Sequence, residues 1–130
     1  MLKLIMCVKR RADLTAEEFD RYWRENHARL VTKHAQVLGI RRYIQTLPYA
    51  DASAQEALRQ TRNAPQVDYD GCAELWWDDM ASHLAARKTE EGLLALRELI
   101  ADERQFVDLT QSQLWYGEER TIVSEPPISR

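Results

Sequence analysis

The side chains best suited to chemistry in this chain are two histidines, His27 and His34, in the segment LTAEEFDRYWRENHARLVTKHAQVL that runs from Leu14 to Leu38. On a wheel of 100° per residue with Phe19 at zero, Leu30 falls at about 20°, Trp23 at about 40°, His34 at about 60° and His27 at about 80°. Asn26 falls at about −20°, while Arg21, Arg24 and Glu25 occupy the far side. Both histidines are therefore expected on a buried stripe, with Asn26 as a further polar inclusion. A spacing of seven residues separates the imidazoles by about 10 Å along the axis, too far to chelate one metal, so a histidine-only metal site is disfavoured. One imidazole titrating near neutrality beside an aromatic wall of Trp23 and Tyr22 is instead suited to moving a proton to or from a small carbonyl or phenolic substrate. Taken singly, each histidine is more simply explained as a hydrogen-bonded residue in the core or at its boundary, and two on one face weaken that reading only modestly.

Other positions could complete such a pocket. Glu74 stands between Ala73 and Leu75 in an otherwise apolar run. A carboxylate there must be paired, hydrogen-bonded or protonated, with Arg41, Arg42 or a histidine as partner, unless it faces solvent at an edge. Tyr43 could present its phenol to the same pocket, although strand tyrosines commonly only pack. Asp102, Glu103 and Asp108 flank a helix end, where caps and solvated charges account for such clusters, and His83 reads as a surface or boundary residue. There is no Gly-rich phosphate loop, GxSxG elbow or HExxH, so nucleotide-dependent, serine-hydrolase and zincin chemistry all lose support.

These residues must be held by elements that the pattern marks in the order strand, helix, strand, strand, helix, strand. Leu2 to Lys9 is apolar on both faces, as in a covered central strand. Thr15 and Glu18 form a capping box, Leu14 and Phe19 a hydrophobic staple, and Gly39 ends the helix. Strands are predicted over 40–47, with Pro48 as terminator, over 72–77 and over 112–117. Between the last two, Asp78 or Asp79 caps a helix to about Lys88, Gly92 breaks or kinks it, and a second helical pattern reaches about Arg104. Residues 49–70 form a long polar loop or arm with a weak helical stretch near 54–62, read as a lid, an arm on a partner or a solvated insertion. Residues 118–130 read as a tail.

The 130 residues fit one domain. Two strand-helix-strand units in succession match an α+β ferredoxin-like βαββαβ arrangement, with helices on one face of an antiparallel sheet. The other face, carrying Trp76 or Trp77 and Trp115 or Tyr116, would be left as an apolar patch, which a homodimer with facing sheets would bury. A net charge of −3 gives no electrostatic footprint for nucleic acid or an anionic membrane. No apolar run approaches a bilayer span, and the basic residues follow the first one instead of preceding it, so a cytoplasmic location is expected. Cys7 and Cys72 lack metal or disulfide spacing and are expected as buried free thiols.

The stretches LTAEEFDRYWRENHARLV, YDGCAELWWDD and DERQFVDLTQSQL resemble the EthD family, over nearly the whole chain. The resemblance implies a dimeric α/β barrel, with His27 as the motif histidine, Phe19 and Trp23 as its aromatics, and Asp102 and Asp108 as late acidic positions. His34 and His83 fall outside the motif. Such proteins are named from a role in degrading an ether fuel additive, and the wider superfamily includes lactone isomerases, polyketide dehydratases and cofactor-free monooxygenases. Some superfamily members bind haem, but His27 gives no specific support for it, and no cofactor or metal is expected here. The combined expectation is a homodimeric enzyme or enzyme accessory acting on a small apolar oxygenated molecule. In it His27 would serve as acid/base, with Trp23, Tyr43, Glu74 and His34 as substrate-binding residues. The alternative is a non-catalytic protein that holds a hydrophobic ligand in the same pocket.

Overall fold

In the computed structural model, which describes residues 1–126, strand β1 (Leu2–Val8) lies between β3 (Gly71–Trp77) and β4 (Gln113–Glu118). Strand β2 (Arg42–Thr46) flanks β3, giving an all-antiparallel sheet of order β2-β3-β1-β4. This is the expected α+β, ferredoxin-like topology, with the helices on one face. Register pairs Leu4 with Leu75 and Tyr116, Met6 with Ala73 and Leu114, and Tyr43 with Leu75, so these side chains share the helix-covered face. Lys3, Ile5, Cys7, Cys72, Glu74, Trp76 and Trp115 share the other. The two thiols are free and half-buried directly opposite one another, not fully buried, and burial pushes the Cys72 thiol up to about 11.

Helix α1 (Ala16–Arg21) begins with the expected capping box: the Thr15 hydroxyl accepts from the Glu18 amide at 3.1 Å, and the Glu18 carboxylate accepts from the Thr15 amide at 2.9 Å. The expected single α-helix is then interrupted. Residues Tyr22–His27 form a π-helical turn before α2 (Ala28–Leu38) resumes, with the Ala28 amide donating to the Trp23 carbonyl. Gln45 of β2 also donates to that carbonyl at 3.0 Å, so a side chain inserted into the helical ladder supports the widened turn. The widening turns Asn26 out to solvent, correcting its placement on the buried stripe, while Trp23 and His27 stay buried. Gly39 ends α2 in the left-handed region, φ 70°.

The 49–70 connection contains an exposed helix, α3 (Ala52–Gln60), near the expected stretch. Asp79 caps α4 (Met80–Lys88), and α5 (Glu90–Glu103) follows after Thr89. The break lies at Thr89, whose hydroxyl accepts from the Gly92 amide, and not at Gly92. Gly92 sits in the first turn of α5, where a Cβ would come within 1.8 Å of the Ala86 carbonyl oxygen; it permits the helix junction to close instead of breaking a helix. Phe19, Trp23 and Phe106 are almost wholly enclosed between these helices and the sheet. No described helix is long and apolar enough to cross a membrane. Residues 119–126 of the expected tail carry no regular structure, and its last four, from Pro127 on, lie outside the described residues.

Candidate functional site

The π turn brings Tyr22, Trp23 and His27 against the end of α5. His27 Nδ1 lies 2.8 Å from Asp102 Oδ2, and the Tyr22 hydroxyl donates to Asp102 Oδ1, so one carboxylate holds both groups. Phe106, one turn beyond Asp102, packs on the imidazole with centroids 5.0 Å apart, and it also touches Phe19 and Tyr22. A carboxylate accepting from Nδ1–H selects the tautomer whose Nε2 carries a lone pair. Burial lowers the His27 pKa from its ordinary 6.5, against the opposing hydrogen bond and charge of Asp102, so the ring is neutral at pH 7. Burial, with the Asp102 hydrogen bond and charge, pushes Tyr22 up to about 12 and keeps it a donor.

His27 lines a cavity of about 310 Å³ between the sheet and the helices. Its wall is mostly apolar, with Met6, Trp23, Val31, Leu75, Trp77 and Leu99 among its lining residues. Gly71 makes room for Trp23, because a Cβ at that position would meet the indole at 2.6 Å. Two further titratable groups face the same space. Glu103, mostly buried, has its carboxyl pushed up to about 7 by desolvation and by the neighbouring Asp102. Tyr43 accepts from Gln45 at 2.9 Å, and burial raises its phenol. A neutral imidazole base and a carboxylic acid that is half protonated near pH 7 thus share one apolar chamber, the pairing that proton-transfer chemistry requires. Among the described residues, no group of three or more His, Cys, Asp or Glu side chains is arranged to hold a metal ion.

The structure brings His27, Trp23 and Tyr43 together but separates the other two expected binding residues from them. Glu74 points to the opposite face of the sheet and pairs there with Lys3, not with Arg41, Arg42 or a histidine. The strand period decides this: Ala73 and Leu75 face inward, so the residue between them cannot. His34 lies outside the cavity lining, its Nε2 2.8 Å from Glu98 Oε2, and ties α2 to α5.

Three residues read as solvated or boundary groups prove to be turned inward, Asp102 and Glu103 half-buried and His83 buried. Asp102 holds His27. Glu103 continues the inward stripe of Leu96, Leu99 and Ile100 at helical spacing, a signal the sequence carries, and charge alone argued against it. His83 is buried against Trp77, with ring centroids 4.1 Å apart. Asp108 does cap, its carboxylate accepting from the Thr110 amide at 3.1 Å.

The sequence profile of the EthD domain matches residues 11–110. No curated protein matches the sequence. Among solved structures, the chain is similar to an EthD family protein from Bacillus halodurans C-125, with TM-score 0.61 and 23% identity over 92% of this chain and 99% of that one. It is also similar to SnoaB, a cofactor-independent oxygenase from Streptomyces nogalater, with TM-score 0.55 and 14% identity over 95% of this chain and 97% of that one. A third is a dimeric protein of unknown function with a ferredoxin-like fold from Bacteroides fragilis NCTC 9343, with TM-score 0.54 and 14% identity over 91% and 95%.

Proposed function

The chain belongs to the EthD domain family, and on that premise we propose that it catalyses proton transfer on a small, apolar, oxygenated molecule held in the cavity beside Trp23. One observation carries the reading: His27 and Glu103, tuned in opposite directions, line the same apolar chamber, and Asp102 fixes the imidazole. Nε2 of His27 removes a proton from a carbon beside a carbonyl, and the electron pair moves onto the carbonyl oxygen as an enolate. Protonated Glu103 returns a proton to a second carbon, which isomerises the molecule, or gives it to a departing β-hydroxyl, which dehydrates it. Tyr43 orients the substrate oxygen. The Trp23 wall excludes water and favours a planar, apolar body.

The test is solvent deuterium exchange. The protein is incubated in D2O with a panel of lactones, enones, phenols and anthrones, and carbon-bound hydrogens are followed by NMR. At least one carbon acid should exchange, with a loss of about 100-fold or more in His27→Ala. Exchange that His27→Ala leaves unchanged refutes the assignment. Ligand binding without exchange or turnover across the panel points instead to a non-catalytic binding protein.

The assembly belongs to the same proposal. Ile5, Ile44 and Trp115 lie on the sheet face opposite the helices, with Trp115 54% exposed. Trp76 shares that face but is already covered by the Lys3 and Arg42 cations and by its hydrogen bond to Glu119. A second copy docking sheet to sheet would bury what remains, and one of the structural neighbours is itself described as dimeric.

A further inference from the structure

A second polar cluster opens on the cavity, away from His27. Arg87 and His83 of α4 and Tyr116 of β4 all line it. Trp23 packs at Gly71, the start of β3, whereas His83 packs on Trp77 at its end. Six residues of extended strand, about 20 Å, separate these two anchor points. The His27 and Arg87 groups therefore approach the cavity from opposite ends of the strand that floors it.

Within the cluster, the Tyr116 hydroxyl lies 2.7 Å from His83 Nε2, and Arg87 Nη1 lies 3.2 Å from both. Arginine can only donate, so His83 Nε2 acts as acceptor and the imidazole is neutral, as desolvation and the Arg87 charge both require. The remaining ring hydrogen is then on Nδ1, the one buried side-chain polar atom without a partner among the described residues. Arg87 itself meets no carboxylate within ion-pair distance among the described residues; its protein partners are a neutral ring and a neutral hydroxyl. The side chain runs back one helical turn to His83, away from the carbonyls at the end of α4 that would otherwise offset its charge. A half-buried cation backed by two neutral groups at the edge of an apolar chamber lacks the charge that would complete it.

We propose that Arg87, with Tyr116 and His83 as the positioning residues behind it, forms an anion-binding subsite for a ligand that carries one carboxylate on an apolar body. The guanidinium would take the carboxylate in a charge-assisted pair, while the Tyr116 hydroxyl, which donates its one hydrogen to His83 Nε2, accepts from Arg87 and holds it in place, and the body fills the chamber toward Trp23 and His27. This deepens the reading of the cavity as a ligand site and rests on it, but it does not depend on proton transfer at His27.

The experiment is isothermal titration calorimetry at pH 7 with naphthoic acid and its methyl ester, which share an apolar body and differ in charge. The parent protein should bind the acid at least about tenfold more tightly than the ester. Arg87→Met should abolish that preference while holding the ester within about twofold of the parent, which also shows that the variant is folded. Arg87→Lys should restore part of the preference, and Tyr116→Phe should lower it about threefold. Equal binding of acid and ester by the parent, or a preference that survives Arg87→Met, overturns the subsite and leaves the ligand cavity standing. Failure of both probes to bind overturns the subsite and the cavity reading together.

Discussion

Asp102 Oδ2 lies 2.8 Å from His27 Nδ1 although 75 residues separate them in the chain, and this one contact decides which imidazole nitrogen faces the cavity. Replacing Asp102 by Asn keeps the shape but lets the ring take the other tautomer, because a side-chain amide can donate as well as accept. In the parent, NMR of 15N-labelled protein should show His27 as the Nδ1–H form. Asp102→Asn should mix the tautomers and cost about 1–3 kcal/mol of stability. Any proton-exchange activity should fall about 100-fold or more. A parent ring protonated on Nε2 would remove the basis for calling His27 the base.

Glu103 makes a prediction about stability and pH. Its folded pKa of about 7 stands above the ordinary 4.5, so the folded state binds more protons than the unfolded state between these values. Stability from this group is therefore lost as pH rises through that window, and the penalty is complete above pH 7. Glu103→Gln should stabilise the protein at pH 8 by about 2–3 kcal/mol and have little effect at pH 4.5, as measured by urea unfolding. The same gain at both pH values would mean that the carboxyl is not desolvated. His27 works in the opposite sense: its lowered pKa costs stability as pH falls below 6.5.

Two glycines should respond against the usual helix and strand preferences. Alanine in place of glycine normally stabilises a helix interior by up to about 1 kcal/mol. At Gly92 the added Cβ meets the Ala86 carbonyl oxygen, which is backbone and cannot swing aside, so Gly92→Ala should destabilise by about 3 kcal/mol or more. At Gly71 the added carbon meets the Trp23 ring and the Thr46 carbonyl, so Gly71→Ala should cost about 1–3 kcal/mol and displace the cavity wall. Thermal unfolding reads the first, and tryptophan fluorescence together with unfolding reads the second.

The exposed ring of Trp115 tests the assembly. Multi-angle light scattering at micromolar concentration should give twice the chain mass for the parent and the single-chain mass for Trp115→Glu, since a carboxylate within a sheet-to-sheet interface would be buried in place of an apolar ring. A parent that is monomeric under these conditions excludes the sheet-to-sheet dimer.

Much of the frame was legible in the residue order because it depends on local rules. The Thr15 and Glu18 box, the Gly39 terminus and the strand alternation act within a few residues, and each appears where the pattern places it. The π turn was not legible, because it depends on Gln45 reaching the Trp23 carbonyl from another element, and it moved Asn26 out of the stripe that a uniform wheel assigns to it. Nor did alternation say which face of β3 looks inward; pairing with β1 does, and it sent Glu74 to Lys3.

The sequence by itself determined the order of elements, the ferredoxin-like topology and a buried helical face bearing Trp23 and His27, because periodicity and caps are properties of neighbouring residues. Only the tertiary structure decided that Asp102 holds His27 and Glu103 faces the cavity, half-buried rather than solvated at a helix end, and that His83 meets Arg87 and Tyr116. Desolvation and long-range hydrogen bonding set those roles, and neither exists until β4 pairs with β1 and α5 packs over the sheet.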